Sequence, residues 1–449
     1  MSNLIQKYNV PGPRYTSYPT VPFWKNNDLK QEAWIQSIHT NFKYFNSIEI
    51  SIYIHLPYCE SLCTFCGCHK RITKNHAVES PYIDAIIQEW KTYLSVLDFK
   101  PVIRELHLGG GTPTFFQPSE LKRMLEAIFS MADIHQNEYE FSFEAHPNNT
   151  TEEHLQTLFD LGFRRLSLGI QDYSPVVQKA IHRIQSFEQV EKVHRKAKEI
   201  GYTSISHDLV FGLPKQHVSD IEDTVAKTLL LMPDRISLYS YAHVPWVKGV
   251  GQRGFDENDL PKNEEKRALY EVAKTTLEKA GYLEVGMDHF ALAHDSLAIA
   301  LKNKQLHRNF MGYTTQNTSM MIGLGMSSIS DSWFGFAQNE KTVETYIERV
   351  NKGEVPVFRG YLLTEEDVTI RRHILDMMCH FETKVIDETL LFDIKSRLEE
   401  MVNDGLVVFE GSMVRITEAG IPFVRNACMA FDRDLIDKAQ REGLFSKTV

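Results

Sequence analysis

From residue 49 onward the chain alternates short β-rich runs with longer helical stretches, and this rhythm limits the folds open to it. The strand candidates are EISIYIHL 49–56, IRELHLG 103–109, YEFSFEA 139–145, RRLSLGI 164–170, SISHDLVF 204–211 and DRISLYSY 234–241. The intervening helices are legible too. Thr150 and Glu153 stand at capping-box spacing, Leu155, Leu158 and Leu161 share one face, and Gly162 supplies a stop. Ser186 and Gln189 repeat the spacing before a stripe of Phe187, Val190, Val193, Ala197 and Ile200, closed by Gly201. Strand, helix and strand in this order predict parallel βα units. The expected fold class is α/β, an incomplete parallel (β/α) barrel.

Each strand candidate runs into a polar or turn-rich segment: PYC, GGGTPT, EAHP, GIQD, DLVFGLP and YAHVP. In a β/α barrel the loops at the C-terminal strand ends build the active site. Six such ends predict one site lined by six strands, at residues 49–339. Residues 1–48 read as an N-terminal arm whose VPGPRYTSYPTVPFW stretch disfavours a regular helix. Composition alone makes that arm a surface wrap. Residues 290–335 are less regular, and 340–449 read as a smaller, mostly helical C-terminal domain with a short strand near 411–420.

Composition sets outer bounds. Hydrophobic residues make up 43% and charged residues 24% of the 449, ordinary for a globular protein. No apolar run is long enough to span a membrane, and the N-terminus lacks the basic-then-apolar order of a secretory signal. The chain is expected in the cytoplasm. Its net charge of −10 argues against nucleic acid or anionic lipid as partner, while leaving room for a local basic pocket.

Four of the six cysteines, Cys59, Cys63, Cys66 and Cys68, lie in YCESLCTFCGCHK at C-x3-C-x2-C-x-C spacing, directly after the first strand. In a reducing compartment clustered thiols mean metal or catalysis. Thiolates suit zinc, copper(I) and iron–sulfur clusters. A structural zinc usually draws two pairs of ligands, and here Cys379 and Cys428 are distant and isolated. Three thiolates on one loop hold three corners of a cubane and leave one iron open. The next strand ends in Gly109, Gly110, Gly111, Thr112 and Pro113, where backbone can approach a ligand closely.

At this point the sequence resembles the radical S-adenosylmethionine (SAM) superfamily, whose signature is C-x3-C-x2-C with an aromatic, here Phe65, before the last cysteine. GPRYTSYPT, IHLPYCESLCTFCGC, LHLGGGTPT, LSLGIQDY, DLVFGLPKQ, YAHVP, GMDHFA, LHRNFMGYTTQ and RNACMAFD are similar to the oxygen-independent coproporphyrinogen III oxidase (dehydrogenase) family. The resemblance implies a barrel of the radical SAM type and a 4Fe-4S cluster on Cys59, Cys63 and Cys66, with Cys68 outside the ligand set. It implies two SAM molecules, contacted by Tyr53, Phe65, Gly110, Gly111, Thr112, Glu144, Gln171, Arg183, Asp208, Ala242 and Ile329.

The implied reaction converts two propionates of coproporphyrinogen III to vinyls, giving protoporphyrinogen IX. It requires an electron donor for the cluster and an unidentified electron acceptor. Nothing in the sequence demands a dimer, so a monomer is the expectation. Arg14, His307 and Arg308 are candidate partners for the substrate carboxylates, which would bring the arm over the active site. Two other readings compete. A haem chaperone paralogue of the same superfamily generally carries an aromatic at the place of Cys68 and lacks the GPRYTSYP arm. A zinc-binding interaction module would need no catalysis.

Overall fold

The computed structural model describes residues 2–26, 29–244, 252, 254–437, 445 and 448. Pro245, the last residue of the YAHVP segment, lies outside them. Apart from the two-residue Asp133–Ile134, which pairs beside Val102 and Ile103, the strands of the main sheet are β1 (Lys25–Asn26), β2 (Glu49–Leu56), β3 (Val102–Gly110), β4 (Glu140–Ala145), β5 (Arg165–Gln171), β6 (Ser204–Phe211), β7 (Arg235–Ser240), β8 (Tyr282–Gly286), β9 (His289–Leu292), β10 (Met321–Leu324), β11 (Ile329–Asp331), β12 (Gly335–Asn339) and β13 (Val357–Leu362). Seven of them, in the order β10-β2-β3-β4-β5-β6-β7, pair in parallel. Antiparallel strands extend both flanks, and the sheet runs from β1 to β8 without closing.

α1 (Ser2–Tyr8) packs on the C-terminal core, whereas α2 (Gln31–Phe45) precedes the parallel strands and α3 (Glu79–Ser95), α4 (Pro118–Met131), α5 (Glu152–Asp160), α6 (Pro175–Ala180), α7 (Phe187–Ile200) and α8 (Val218–Leu231) alternate with them. Apolar and polar residues alternate along β2, and its Ile50, Ile52, Ile54 and Leu56, which share one face, are fully buried. Val190, Val193 and Ala197 of the α7 stripe are buried, and Gly201 takes the left-handed cap at φ 115°.

Two caps differ from the expected form. α5 is capped one residue later than Thr150. Thr151 Oγ1 accepts from the His154 amide and His154 Nδ1 accepts from the Thr151 amide, both at 3.2 Å. A histidine ring thus does what a glutamate at that position does elsewhere. At α7, Ser186 Oγ accepts from the Gln189 amide at 3.2 Å. The Gln189 side chain donates instead to the Pro147 carbonyl at 2.9 Å.

The sheet continues beyond residue 340, since β13 pairs with β12. The segment after Leu362 has its own core around Ile374, Met377, Ile394, Leu398 and Phe431, and a three-stranded sheet containing Met413–Ile416. The arm is built into both cores. Tyr8, Tyr15 and Tyr18 are buried in the C-terminal core. Trp24 stacks on Phe336 of β12 with ring centroids 5.1 Å apart. β1 pairs with β13, and Trp34 and Ile38 of α2 are fully buried in the barrel core.

Candidate active site at the open mouth of the barrel

β2 delivers the chain into the cysteine loop at the C-terminal rim, and several strand ends hold that loop. The Gly111 amide donates to the Leu56 carbonyl at 2.8 Å and the Thr112 amide to the Tyr58 carbonyl at 3.0 Å. Cys59 Sγ lies 3.3 Å from Thr112 Oγ1. The Thr64 amide and hydroxyl bond the Ile181 and Ala180 carbonyls at the C-terminal end of α6, each at 3.0 Å. Arg183 Nη1 donates to Cys63 Sγ at 3.8 Å. Gln252 Nε2 donates to the carbonyls of Phe65, at 3.1 Å, and Ala242, at 3.0 Å. Phe65 packs on Val177, Ile181, Val210, Leu213 and Tyr241.

The glycines of β3 make room for this arrangement. A Cβ on Gly111 would stand 2.6 Å from the Pro57 carbonyl oxygen. One on Gly110, whose φ is +113°, would stand 2.7 Å from the His55 ring. Any side chain here would push β3 away from the cysteine loop.

The residues expected to contact SAM fall into groups along the rim. Tyr53 stacks on His107 with centroids 6.0 Å apart and hydrogen-bonds His55 Nδ1 through its hydroxyl at 3.1 Å. Glu144 Oε1 lies 3.6 Å from His107 Nε2, and a Cβ on Gly109 would be 3.1 Å from both Glu144 and Tyr53. Arg183 Nη2 donates to the Gly169 carbonyl at 2.6 Å, and a Cβ on Gly169 would meet both Arg183 and the Gln171 amide within 2.9 Å. Gln171 itself sits at φ 69°. Ser167 Oγ donates to Asp208 Oδ2 at 2.7 Å, and burial pushes the Asp208 carboxyl up to about 6. Ile329 opens β11, with its carbonyl against Gly323, the partner of Tyr53 across the β10–β2 ladder.

Of the candidates for substrate carboxylates, Arg14 and Arg308 are brought together and His307 is not. Arg14 is ion-paired with Asp288, so its fork is not open to a ligand as the sequence led us to expect. Tyr15 and Tyr18 are buried in the C-terminal core, and Tyr15 donates to Asp432 at 3.1 Å. They cannot cover a tetrapyrrole face from there. His307 lines a cavity of about 190 Å³ with Asn317, Trp333 and His380, near the N-terminal end of β10 and away from the cysteine loop. Arg308 is buried the other way, with its guanidinium 4.5 Å from the Tyr313 ring centroid and donating to the Arg14 carbonyl at 3.4 Å.

The donor set fits an iron–sulfur cluster better than a single ion. Cys59, Cys63 and Cys66 are partly exposed on one loop, while Cys379 and Cys428 are buried elsewhere. Among the described residues no three His, Cys, Asp or Glu side chains converge as one zinc would require. A cubane spreads its thiolates over separate irons. His55, His107, Ser167 and Gln252 were missed in the sequence. His107, two residues before Gly109, and His55, two residues after Tyr53, each share a strand face with an expected site residue and so carried a period-2 signal.

The profile of the Radical SAM superfamily matches residues 53–227. The oxygen-independent coproporphyrinogen III oxidase of Helicobacter pylori (strain J99) is 38% identical, covering 99% of this chain and 98% of its own length. The enzyme of the same name from Escherichia coli (strain K12) is 34% identical, with 99% and 98% covered. A solved structure described as coproporphyrinogen III oxidase (HemN) from Escherichia coli, a radical SAM enzyme, superposes with a TM-score of 0.89 at 33% identity, covering 94% of this chain and 98% of that one. With a cysteine loop, a glycine-lined rim and a near full-length likeness all agreeing, this chain belongs to the oxygen-independent coproporphyrinogen III oxidase family of the radical SAM superfamily.

Proposed function

We infer that the chain is a SAM-dependent oxidoreductase that oxidatively decarboxylates two propionates of coproporphyrinogen III, giving protoporphyrinogen IX in oxygen-independent haem biosynthesis. The observation that carries the reading is the cysteine loop, set against the glycine triplet of β3 at the mouth of seven parallel strands. Cys59, Cys63 and Cys66 would hold a 4Fe-4S cluster, which would supply the electron for reductive cleavage of SAM and so the radical chemistry of the reaction. Each propionate then loses one hydrogen atom, carbon dioxide and one further electron, leaving a vinyl group.

The chain's own residues bind and orient. Arg183 is suited to clamp the SAM carboxylate, its fork already aimed by the Gly169 carbonyl. Glu144 and Asp208 accept from ammonium or ribose hydroxyls, and Phe65, Ala242 and Ile329 give apolar or backbone surface to adenine. Tyr53, Gly110, Gly111, Thr112 and Gln171 complete the cradle, and a second SAM is part of this reading. An external electron donor and an acceptor complete the stoichiometry. The chain is read as a cytoplasmic monomer, and no helix among the described residues is long and apolar enough to cross a membrane.

The test is anaerobic turnover of coproporphyrinogen III with SAM and a reductant, following protoporphyrinogen IX and 5′-deoxyadenosine together. Formation of neither product by iron-replete protein would overturn the assignment. SAM cleavage without decarboxylation would favour the chaperone reading.

A further inference from the structure

The turn joining β10 to β11, residues 325–328, has the sequence GMSS and carries no charge and no cysteine. It is nevertheless held from several sides. The Gly325 amide donates to Glu89 Oε2 at 2.8 Å, and the Met326 amide donates to the Tyr82 hydroxyl at 2.9 Å. That hydroxyl in turn donates to the His55 carbonyl at 2.8 Å. Glu89 also accepts from Asn339 Nδ2 and from the Tyr346 hydroxyl, both at 2.6 Å. Asn339 Nδ2 donates as well to the Gly325 carbonyl at 2.9 Å and to Ser328 Oγ at 3.0 Å. Glu89, Tyr82 and Tyr346 are all fully buried.

From this turn the contacts run on to the cysteine loop. Ser327 Oγ is hydrogen-bonded to His69 Nδ1. The His69 carbonyl accepts from His55 Nε2 at 2.8 Å, and His55 Nδ1 accepts from the Tyr53 hydroxyl at 3.1 Å. A Cβ on Gly325, at φ +93°, would stand 2.5 Å from the His55 carbonyl oxygen, so the turn presses directly on the end of β2. One unbroken set of hydrogen bonds therefore joins Glu89 and Tyr82 of α3 to Tyr53 and to the residue following Cys68.

We propose that Glu89 and Tyr82 are positioning residues that fix the 325–328 turn and, through His55 and His69, the outgoing leg of the cysteine loop for SAM binding. The inference rests on the reading of residues 59–66 as the cluster loop. Neither residue touches the reacting groups.

The chemistry of the site calls for a carboxylate at position 89. All three partners donate to it, and Asn339 cannot turn its amide around without losing its own bonds to Gly325 and Ser328. Burial raises the Glu89 carboxyl to about 7 against the pull of those donors. A glutamine would keep the volume but aim an amino group at a donor, which leaves a buried pair unmatched.

The experiment compares Glu89→Gln, Tyr82→Phe and a control, Tyr282→Phe, in the full chain after anaerobic cluster reconstitution. Tyr282 donates to the Pro233 carbonyl at 2.6 Å at the opposite end of the barrel, so it loses a buried hydrogen bond of similar kind. Glu89→Gln and Tyr82→Phe are expected to keep their iron, to bind SAM at least tenfold more weakly, and to exchange amide hydrogens faster in residues 55–70 and 321–331 even without SAM. The control is expected to lose stability without either change. If Glu89→Gln fails to fold, Tyr82→Phe decides. Wild-type SAM affinity and exchange in Tyr82→Phe, or equal effects in Tyr282→Phe, would overturn the proposal. Failure of the wild-type protein to bind SAM would instead overturn the functional reading itself.

Discussion

The Arg183 guanidinium reaches the Cys63 thiol across 3.8 Å, joining a cation of the α6–α7 connection to a loop 120 residues earlier in the chain. Its second nitrogen holds the Gly169 carbonyl, so the fork faces the mouth with little freedom. A lysine supplies one point charge and cannot span both partners. Arg183→Lys is expected to retain iron and to weaken SAM binding by about 1.5–3 kcal/mol, the scale of a hydrogen bond to a charged group. Equilibrium binding of SAM to reconstituted protein checks this. Unchanged affinity would leave Arg183 as a brace only.

Alanine at Cys59, Cys63 or Cys66 is expected to abolish iron retention and SAM cleavage. Cys68→Ser is expected to keep both the iron and the absorption of the brown protein, because Cys68 lies outside the implied ligand set. Iron analysis and visible spectra under argon decide between them. Full iron content in any of the three alanine variants would refute the ligand assignment.

Asp208 provides a pH signature. Its carboxyl is raised from the ordinary 3.8 to about 6 by burial, so the fold holds the proton more tightly than the unfolded chain does. The stability this lends is complete below about 3.8 and is lost as pH rises through about 6. Asp208→Asn should therefore raise the melting temperature at pH 8, by an amount worth up to about 3 kcal/mol, and change it little at pH 4. The same variant should weaken SAM binding at pH 8. A melting curve unaffected at both pH values would show that Asp208 is better solvated than its surroundings indicate.

At the other end of the barrel, Arg235 and Asp295 form an ion pair at 2.7 Å with side chains only 4% and 1% exposed. Asp295 also accepts from Ser204 Oγ at 2.8 Å. Asp295→Ala strands a buried guanidinium and is expected to cost about 3–5 kcal/mol. Thermal or urea unfolding of the unreconstituted protein measures it. A loss below about 1 kcal/mol would mean that water enters the site.

Arg14→Ala addresses the arm. It leaves the buried Asp288 without its partner and loosens the junction between arm and barrel. Faster proteolysis within residues 1–24 is expected, with turnover of coproporphyrinogen III falling more than SAM binding does. Unchanged proteolysis together with an unchanged Michaelis constant would make the pair incidental.

The six strands read from the sequence were legible because β-rich runs with alternating apolar residues, such as EISIYIHL and IRELHLG, stand between clear helix stops. β10 escaped because Met321–Leu324 has four residues and no room for a periodic pattern. α2 escaped because the proline-rich stretch before it coloured the reading of the whole arm. The α5 cap was misplaced by one residue because a histidine, not a glutamate, closes it. At the site, the cysteine and glycine motifs are local in sequence and stood out. Asp288 as the partner of Arg14, 274 residues away, and the burial of Tyr15 and Tyr18 depend on tertiary packing that no local pattern records.

The threading of the arm into the C-terminal core also orders events during synthesis. The Thr448 hydroxyl donates to the Tyr8 carbonyl, a contact spanning 440 residues. At roughly 5–20 residues per second, Tyr8 leaves the ribosome on the order of 20–90 s before its partner is made. For most of that interval, until residues 370–431 are made, Tyr8, Tyr15 and Tyr18 have no core to enter, while the barrel strands can already pair. The nascent enzyme therefore carries an unsatisfied aromatic leader until its last segment arrives, and a chain that stalls late leaves that leader exposed to holdase chaperones and proteases.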